Sequence, residues 1–176
     1  MKRSMEGSFL SPLTVALVGA LVNGKPNYLV IGYICPFNFA KHVFFSIFKK
    51  RHTHQGIVEN RTFSVNIPTV DMLGKLEIAG SKSGRDIDKS TLFDAFYGEL
   101  ETAPMISECP ITMECEVDQL LDYDPNHGVI GRVVRSYVEE DLLIDDRLDL
   151  RKTDPLVWAI GGDNNYYRVG PRIDNS

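Results

Sequence analysis

A run of basic residues, Lys49-Lys50-Arg51-His52, is followed directly by Thr53, and this combination of side chains could bind an anion. Threonine is a common N-cap residue, and the sequence predicts a short helix from Thr53 through Val58. The start of a helix carries free N–H groups and the positive end of the helix dipole. Cationic side chains just ahead of it make a good seat for a phosphate. The alternative is a solvated turn, and composition alone favours that alternative.

Strand patterns lie on both sides of the basic run. Residues 43–48 and 63–67 alternate between apolar side chains and their neighbours with a period of two, which is typical of β-strands. The cleanest alternation in the chain is at Ile111–Asp118, and a further strand is predicted at Val129–Tyr137. We expect these last two to form a hairpin around a turn at residues 122–128.

The remaining segments add strands and a few helices. Continuous apolar character predicts that Leu13–Val22 is a strand buried on both faces. The Asn23-Gly24 turn leads to a strand at Asn27–Cys35, which the segment Pro36-Phe37-Asn38 should end. The other predictions are a helix from about Asp71 to Gly80, a polar loop at 81–90, a partly helical excursion at 91–110, a surface link at 139–149, and short strands at 156–160 and 166–169 around Gly161-Gly162. Together they predict a mainly β protein, a closed antiparallel β-barrel with peripheral helices.

Composition limits the class of partner. The 176 residues suit one domain, and the formal net charge of −5 argues against binding to nucleic acid or to an anionic membrane. The apolar segment at 13–22 is too short to span a bilayer. The three cysteines form no CxxC pair, so the chain suits a reducing, cytoplasmic compartment. The basic run is a local exception to the negative net charge, and its size suits the binding of one small anion.

Common catalytic and nucleotide motifs are absent. The sequence contains no GxGxxG, no GxxxxGK[ST], no GxSxG and no HExxH. His52 and His54 have no convincing third ligand, so no metal site is predicted. No pair of carboxylates stands out for acid–base catalysis.

Seven short motifs nevertheless occur in a specific order. They are GKPN at 24–27, RHTH at 51–54, FSVNIP at 63–68, AGSKSGRDIDK at 79–89, PMISECP at 104–110, HxxxG at 127–131 and YYRVG at 166–170. In this order they resemble the flavin reductase-like, FMN-binding split-barrel family, and within it the flavoredoxin-like branch. The resemblance runs from about residue 12 to residue 170, and it favours the phosphate interpretation of the basic run.

The resemblance implies a single domain over residues 1–176, folded as a six-stranded split barrel. It also implies a homodimer with noncovalent FMN at the interface. The implied activity is hydride or electron transfer from NAD(P)H through FMN to an acceptor. Two alternatives remain: an FMN-binding electron carrier fed by another redox protein, without its own NAD(P)H activity, and a dimeric barrel that has lost the cofactor.

The resemblance also implies a set of residues around the cofactor. Asn27 and Tyr33 would lie on the flavin-side strand, and the backbone of Ile31, Gly32 and Ile34 would run along the ring. Ser46, Arg51 and Thr53 would approach the phosphate, with His54 beside them. Asn66 and Ile67 would line the far edge of the ring, and Lys82, Ser83 and Lys89 would close over the cofactor. His127 would lie near the flavin or the incoming nicotinamide.

Several of these residues have simpler interpretations. Asn27 is also a common turn residue, and Tyr33 could be a core aromatic. Lys82 and Lys89 are residue types that are more often solvated, and the sequence leaves open which of them contacts the flavin. The segment Cys35-Pro36-Phe37-Asn38-Phe39, with its extra aromatic residues, replaces a Pro-Pro pair that many relatives have after the second strand, which implies a ring pocket of different shape.

Overall fold

The computed structural model describes residues 4, 11–39, 41–149, 152–159, 164–171 and 173. Most of the regular structure is antiparallel β. The strands are β1 (Leu13–Thr14), β2 (Ala16–Val22), β3 (Lys25–Ile31), β4 (Ile34–Asn38), β5 (His42–Phe48), β6 (Thr62–Ile67), β7 (Ala95–Phe96), β8 (Met105–Ile106), β9 (Ile111–Tyr123), β10 (Asn126–Val138), β11 (Leu143–Ile144), β12 (Arg147–Leu148), β13 (Leu156–Trp158) and β14 (Tyr166–Arg168). The helices are α1 (His52–Asn60) and α2 (Leu73–Ser81).

One seven-stranded sheet forms the barrel wall, in the order β3-β2-β6-β9-β10-β5-β4. Its two edge strands, β3 and β4, are consecutive in sequence and are joined by a bend at Gly32–Tyr33. One bent strand therefore supplies both edges, and the N–H of Ser46 on β5 donates to the carbonyl of Tyr33 at 3.1 Å. With β3 and β4 counted as one strand, the wall has six strands, and the predicted split barrel is confirmed.

The barrel interior is packed with apolar side chains from opposite walls. Phe45 and Phe63 are fully buried and meet edge-to-face with ring centroids 5.1 Å apart. Burying a side chain of this size contributes about 1.5–3 kcal/mol relative to leaving it in water. A second buried cluster, which includes Leu17, Tyr28 and Phe93, lies on the other face of β2 and β3. The strand predicted at Leu13–Val22 is confirmed as buried on both faces over β2, whereas Leu13–Thr14 form the separate, less buried strand β1.

Three predictions about the elements were wrong. Helix α1 begins at His52 with Arg51 as its N-cap residue, so Thr53 lies inside the first turn and is not the cap. Pro36 does not end the ladder, because β4 is an edge strand and a missing N–H is tolerated there. The segment 91–110 holds the antiparallel pair β7–β8, and its helical content is limited to the end of a short 3₁₀ turn at Lys89–Thr91.

The segment 139–149, predicted as a surface link, contains a 3₁₀ turn at Glu140–Leu142 and the antiparallel pair β11–β12. Most other element predictions are confirmed with adjusted limits. Strands β9 and β10 form the expected hairpin, but they run to Tyr123 and from Asn126, so the turn is shorter than predicted. The C-terminal strand β13 pairs with β14 on one side and with β1 on the other. The predicted turn at Gly161-Gly162 lies outside the described residues.

Candidate functional site

The first turn of α1 has no side-chain cap. Arg51 has extended backbone angles, with φ −68° and ψ 140°, and no side chain accepts a hydrogen bond from the first-turn N–H groups. The N–H of His54 donates to the carbonyl of Arg51 at 3.1 Å, so the N–H groups of His52 and Thr53 are the open donors. These two N–H groups and the helix dipole favour an anion at this position.

A cavity of about 280 Å³, which we call the basic cavity, opens beside this helix start. Three separate segments line it: β3, the end of β5 with the start of α1, and the loop after α2. Six of the residues predicted around the cofactor are among its lining: Asn27, Arg51, Thr53, Lys82, Ser83 and Lys89. The other lining residues are Leu29, Phe48, Lys50, His52 and Gly84.

Thr53 and Asn27 form a buried polar pair within this cavity. The side-chain amide of Asn27 donates to Oγ1 of Thr53 at 2.7 Å, and both residues are nearly inaccessible to solvent. Because the hydroxyl of Thr53 accepts this bond, its own proton remains available for an acceptor in the cavity. Asn27 is therefore a positioning residue for Thr53, which its interpretation as a simple turn residue did not anticipate.

The loop after α2 approaches Asn27 closely at Gly84. A Cβ atom at this position would overlap Oδ1 of Asn27 and would lie 2.6 Å from Cδ2 of His52. The loop is fixed from the other side by Arg85, whose Nη1 donates to the carbonyl of Lys50 at 2.8 Å. The wall of the basic cavity thus depends on a glycine that the motif SKSGR contains.

Lys89 is buried, with 3% of its surface exposed. Its Nζ donates to the carbonyl of Tyr28 at 3.0 Å and to that of Ala79 at 2.6 Å, so it ties β3 to α2. Burial, together with the positive charge of Arg51, lowers the pKa of Lys89 to about 8. Lys82 is exposed at the rim of the same cavity.

His52 has a buried Nδ1 atom that finds no hydrogen-bond partner among the described residues. Burial and the neighbouring charges of Arg85 and Lys89 lower the pKa of this side chain, which favours the neutral imidazole. An unpartnered ring nitrogen at the rim of a cationic cavity is consistent with a site built for an anion. The basic cavity therefore fits a phosphate group by its open N–H groups, its cations and its free donors.

The structure does not bring the other predicted residues into this cavity. Ile31 is packed in the barrel core, and Gly32, Tyr33 and Ile34 form the bend and the start of β4. Tyr33 is 59% exposed, so it is not a core aromatic. Ile67 packs against the barrel core. Their contacts with a flavin ring stay predictions.

Ser46 and Asn66 are held by other contacts. The side-chain amide of Asn126 donates to Oγ of Ser46 at 2.8 Å. Asn66 is fully buried: its amide donates to the carbonyl of Leu17 at 2.9 Å and its Oδ1 accepts from the N–H of Ile106 at 2.9 Å. The structure therefore corrects the prediction for Asn66, which stabilises the packing of β2 and β8 on β6 and does not reach a cavity surface.

His54 and His127 form a pair apart from the basic cavity. Nε2 of His54 and Nδ1 of His127 are 2.9 Å apart, so one ring nitrogen must donate and the other must accept. Nε2 of His127 lies 4.0 Å from Oδ2 of Asp122. Burial, followed by the charges of His127 and Lys49, lowers the pKa of His54. The structure places His54 against His127 and not along the cavity wall.

Sequence reasoning missed several contributors to the basic cavity. Leu29 and Phe48 supply its apolar surface, and Lys50 adds a second cation beside Arg51. The alternation of β3 places Asn27 and Leu29 on one face, which was a usable signal for Leu29. No local pattern indicates the role of Gly84, because it depends on contact with Asn27, 57 positions away in the chain.

Within the described residues, two kinds of feature are absent: a cluster of metal ligands and a membrane-spanning helix. No group of three or more His, Cys, Asp or Glu side chains converges there in the manner of metal ligands. Neither of the helices they form has the length and apolar character needed to cross a membrane.

The comparisons with known protein families and with solved structures agree on one family. The sequence model of the family described as "Flavin reductase like domain" matches residues 8–165. A flavoredoxin crystal structure from Methanosarcina acetivorans is 38% identical, with a TM-score of 0.95, and the match covers 100% of this chain and 95% of that chain. The flavoredoxin of Desulfovibrio vulgaris (Miyazaki F) is 27% identical, with a TM-score of 0.90 and coverage of 100% and 97%.

A curated protein of no stated function is also similar in sequence. An uncharacterized protein of Pyrococcus abyssi is 29% identical over 139 residues, which cover 77% of this chain and 81% of the relative. The family match spans most of the chain, and the two flavoredoxin structures share its whole architecture. The chain therefore belongs to the flavin reductase-like domain family.

Proposed function

We propose that this protein is an FMN-binding oxidoreductase that moves hydride or electrons from NAD(P)H through noncovalently bound FMN to an acceptor. The observation that carries the proposal is the basic cavity, where residues of three segments converge on an uncapped helix start. Membership of the flavin reductase-like family and the similarity to two flavoredoxins support it.

The residues of the basic cavity would hold the FMN phosphate. The open N–H groups of His52 and Thr53 would donate to phosphate oxygens, and the hydroxyl of Thr53 would add a third donor. Arg51 and Lys82 would supply charge at the rim, and Lys89 would supply charge from the interior wall. The buried Asn27–Thr53 bond would keep the hydroxyl oriented when the cavity is empty, which lowers the cost of ordering on binding.

The flavin, when bound, supplies the hydride and electron chemistry of its ring. The chain itself needs no nucleophile, which agrees with a basic cavity that contains cations and hydrogen-bond donors. Its cationic donors would orient the cofactor and favour negative charge close to it.

The test is FMN titration of the cofactor-free protein, followed by flavin fluorescence. Arg51→Met and Thr53→Val should each weaken FMN binding by about tenfold or more, since hydrogen bonds to charged groups contribute about 1.5–3 kcal/mol. Thr53→Ser should keep most of the affinity. Lys75→Met, which removes an exposed lysine paired with Glu108, is the matched control and should leave binding unchanged. Full retention in both cavity variants would refute the phosphate assignment.

Parallel titrations with FAD and riboflavin would define the cofactor. If binding requires the phosphate, riboflavin should bind more weakly than FMN. The Arg51→Met variant should show a smaller preference for FMN over riboflavin, because one of the cations that pair with the phosphate is removed. An equal affinity of the wild-type protein for FMN and riboflavin would contradict the role of the basic cavity.

Stopped-flow mixing of the FMN-loaded protein with NADH and with NADPH tests the reductase activity. Bleaching of the flavin on a catalytic timescale supports the oxidoreductase. The alternative function is that of an electron carrier fed by another redox protein. The observation in its favour is the similarity to flavoredoxins over the full length of the chain. The carrier predicts no bleaching by either nicotinamide, with bleaching by dithionite intact.

A further inference from the structure

A pair of histidines joins the start of α1 to the β9–β10 hairpin, close to its turn. Nε2 of His54 and Nδ1 of His127 are 2.9 Å apart, and the ring centroids are 4.9 Å apart. His54 lies in the first turn of α1, directly after Thr53, and His127 is the second residue of β10. This hydrogen bond therefore acts on the helix start that supplies the open N–H groups of the basic cavity.

Other bonds fix the hairpin side of this contact. Asp122 on β9 lies directly opposite His127 in the antiparallel ladder. Nζ of Lys49, which follows β5, donates to Asp122 at 2.6 Å and to Asp124 at 3.2 Å. The backbone N–H of Lys49 also donates to the carbonyl of Pro125 at 3.1 Å. The turn of the hairpin is thus tied to the barrel wall independently of α1, and it can serve as a support for the helix start.

The position of Asp122 favours one tautomer of His127. Oδ2 of Asp122 lies 4.0 Å from Nε2 of His127, and its negative charge favours a proton on that nitrogen. Nδ1 of neutral His127 is then the acceptor, so His54 must donate from Nε2. The hydrogen bond from Lys49 lowers the pKa of Asp122, which keeps this carboxylate ionised over the pH range in which histidines titrate.

The pair can accept one additional proton but not two. A proton on Nδ1 of His54 leaves the Nε2–H donor in place, and the bond to His127 becomes charge-assisted. A second proton would have to bind Nδ1 of His127, where it would point at the Nε2–H of His54. Two cationic donors would then face each other across 2.9 Å, so the rings must separate.

The surrounding charges set the pH at which this happens. Lys49 faces the pair from the segment after β5, Asp122 faces it from β9, and Asp124 lies beside them in the turn. Burial, followed by the charges of His127 and Lys49, lowers the pKa of His54, whereas an unfolded histidine titrates near about 6.5. The folded chain therefore binds fewer protons here than the unfolded chain. The stabilisation is complete above about pH 6.5 and is lost as the pH falls below that value.

We infer that His127 is a positioning residue for FMN binding: it holds His54, and with it the start of α1, where the phosphate needs the open N–H groups, and it releases them when both rings are protonated. Mildly acidic solution should therefore weaken FMN binding through a contact that lies outside the basic cavity. The inference rests on the proposed function, because FMN is the ligand whose affinity the pair controls.

The first experiment examines the contact itself in the FMN-free chain, by nitrogen-15 NMR of the imidazole rings. The chain contains four histidines, so the ring signals can be assigned by single substitutions. At pH 7.5 we expect His127 to be protonated on Nε2 and its Nδ1 signal to be shifted by the bond from His54. On acidification the two rings should titrate in separate steps. Two rings that titrate independently, without a hydrogen-bond shift, would overturn the inference.

The second experiment measures the affinity for FMN at pH 7.5 by fluorescence titration. His127→Asn places an amide oxygen near the position of Nδ1, so it keeps an acceptor for His54 and should bind FMN within about twofold of the wild type. His127→Leu keeps an apolar side chain but no acceptor, and it should bind about five- to tenfold more weakly. Equal binding by these two variants would mean that position 127 acts by packing alone, and the inference would be wrong.

The same titrations at pH 5.5 test the proton dependence. The FMN phosphate loses charge near pH 6, and His52 in the basic cavity gains a proton, but both changes occur in every variant. The wild type should lose about tenfold more affinity than His127→Asn between the two pH values, because the asparagine acceptor does not titrate. His42→Asn, which removes a histidine at the other end of β5, is the matched control and should keep the wild-type loss.

The outcomes separate this inference from the proposed function. FMN binding with the same pH dependence in the wild type and in His127→Asn would refute the inference alone. Stronger binding by the wild type at pH 5.5 would also refute it, since the protonated rings would then act as additional cations for the phosphate. A wild-type chain that binds no FMN at pH 7.5, with the NMR signature of the pair intact, would instead refute the proposed function.

Discussion

At the scale of single residues, Lys89 combines a structural and an electrostatic role. Its amine ties the carbonyls of Tyr28 and Ala79 together while it lines the basic cavity. Its pKa is lowered to about 8, so the group is cationic below that pH and becomes neutral above it. A bound phosphate would favour the protonated form, and binding would therefore be linked to proton uptake near pH 8.

The affinity for FMN should consequently fall as pH rises from 7 to 9. Over this interval the phosphate is already ionised, so the loss of the Lys89 charge is the change that matters. We expect a decrease of about tenfold, measured by fluorescence titration at several pH values. Lys89→Met should bind more weakly at pH 7 and show a flatter profile. Lys25→Met, at an exposed lysine paired with Asp88, should keep the wild-type slope.

Any side chain at position 84 should weaken the binding of FMN. Gly84→Ala would push the loop away from Asn27 and His52, and we expect FMN affinity to fall about tenfold or more. Gly74→Ala makes the same chemical change on α2, where a Cβ meets nothing within 4 Å. That control should bind FMN as the wild type does. Equal binding by the two variants would show that the close approach at Gly84 is dispensable.

The residues of the site were predictable to different degrees. Arg51 and Thr53 were indicated by the local chemistry of a basic run before a helix, although Thr53 binds Asn27 and does not cap the helix. Lys82 and Ser83 were indicated only by resemblance, because nothing local links residues of a polar loop to a helix start 30 positions earlier. The burial of Asn66 was hidden, since a polar residue in an alternating strand reads as solvent-facing.

At the scale of elements, α1 is held against the sheet by a glycine contact. A Cβ at Gly56 would overlap the carbonyl oxygen of Leu21 on β2, and the side chain of Asn60 donates to that same oxygen at 2.8 Å. Thr53 and Ile57 are also buried on this face. The position of the helix start, and with it the basic cavity, therefore depends on close packing of α1 against β2.

Two glycine-to-alanine changes in the two helices should have opposite effects on stability. Gly56→Ala should lower the free energy of unfolding by about 1–3 kcal/mol, because the added methyl group overpacks the contact with Leu21. Gly74→Ala should raise it by about 0.4–1 kcal/mol, because alanine loses less backbone entropy in an open helical position. Urea unfolding monitored by circular dichroism measures both. A stabilising Gly56→Ala would contradict the packing described for α1.

The elements with clear periodicity were predicted well, and those fixed by distant contacts were not. The alternation of Ile111–Asp118 indicated β9, but the exposed end of that strand at Tyr123 has no pattern and exists because it pairs with β10. Hydrogen bonds to Glu114 fix the path of residues 98–102. Its buried carboxylate accepts bonds from the N–H groups of Glu99 and Leu100 and from the hydroxyl of Tyr137. No local pattern reports such a contact.

At the scale of the whole molecule, one margin of the barrel carries exposed aromatic residues. Tyr33, Phe37 and Phe39 are 59%, 53% and 110% exposed, and the last two lie on or directly after the edge strand β4. Exposed apolar edges of this kind favour association with another chain. We propose that this margin contributes to a homodimer interface, as the family resemblance implies.

Sedimentation of the wild-type protein should therefore give about twice the chain mass of 19.8 kDa. The double variant Phe37→Asp/Phe39→Asp should sediment as a monomer, because two carboxylates would be buried without partners. Tyr123→Asp, at an aromatic that is 83% exposed elsewhere, is the matched control and should remain a dimer. A wild-type monomer at micromolar concentration would contradict the proposal.

The bent strand formed by β3 and β4 has a consequence for how the barrel assembles. Its first part pairs with β2 and its second with β5, so residues 16–48 form a succession of neighbouring antiparallel pairs. Contacts between strands that are close in sequence cost little loop-closure entropy. This N-terminal third can therefore form early, while the pairing of β6 with β9 and of β5 with β10 must await the distant hairpin of β9 and β10. The basic cavity needs both Asn27, which lies in this segment, and the loop at Gly84, which lies beyond it, so the cavity would be completed only after the N-terminal third has formed.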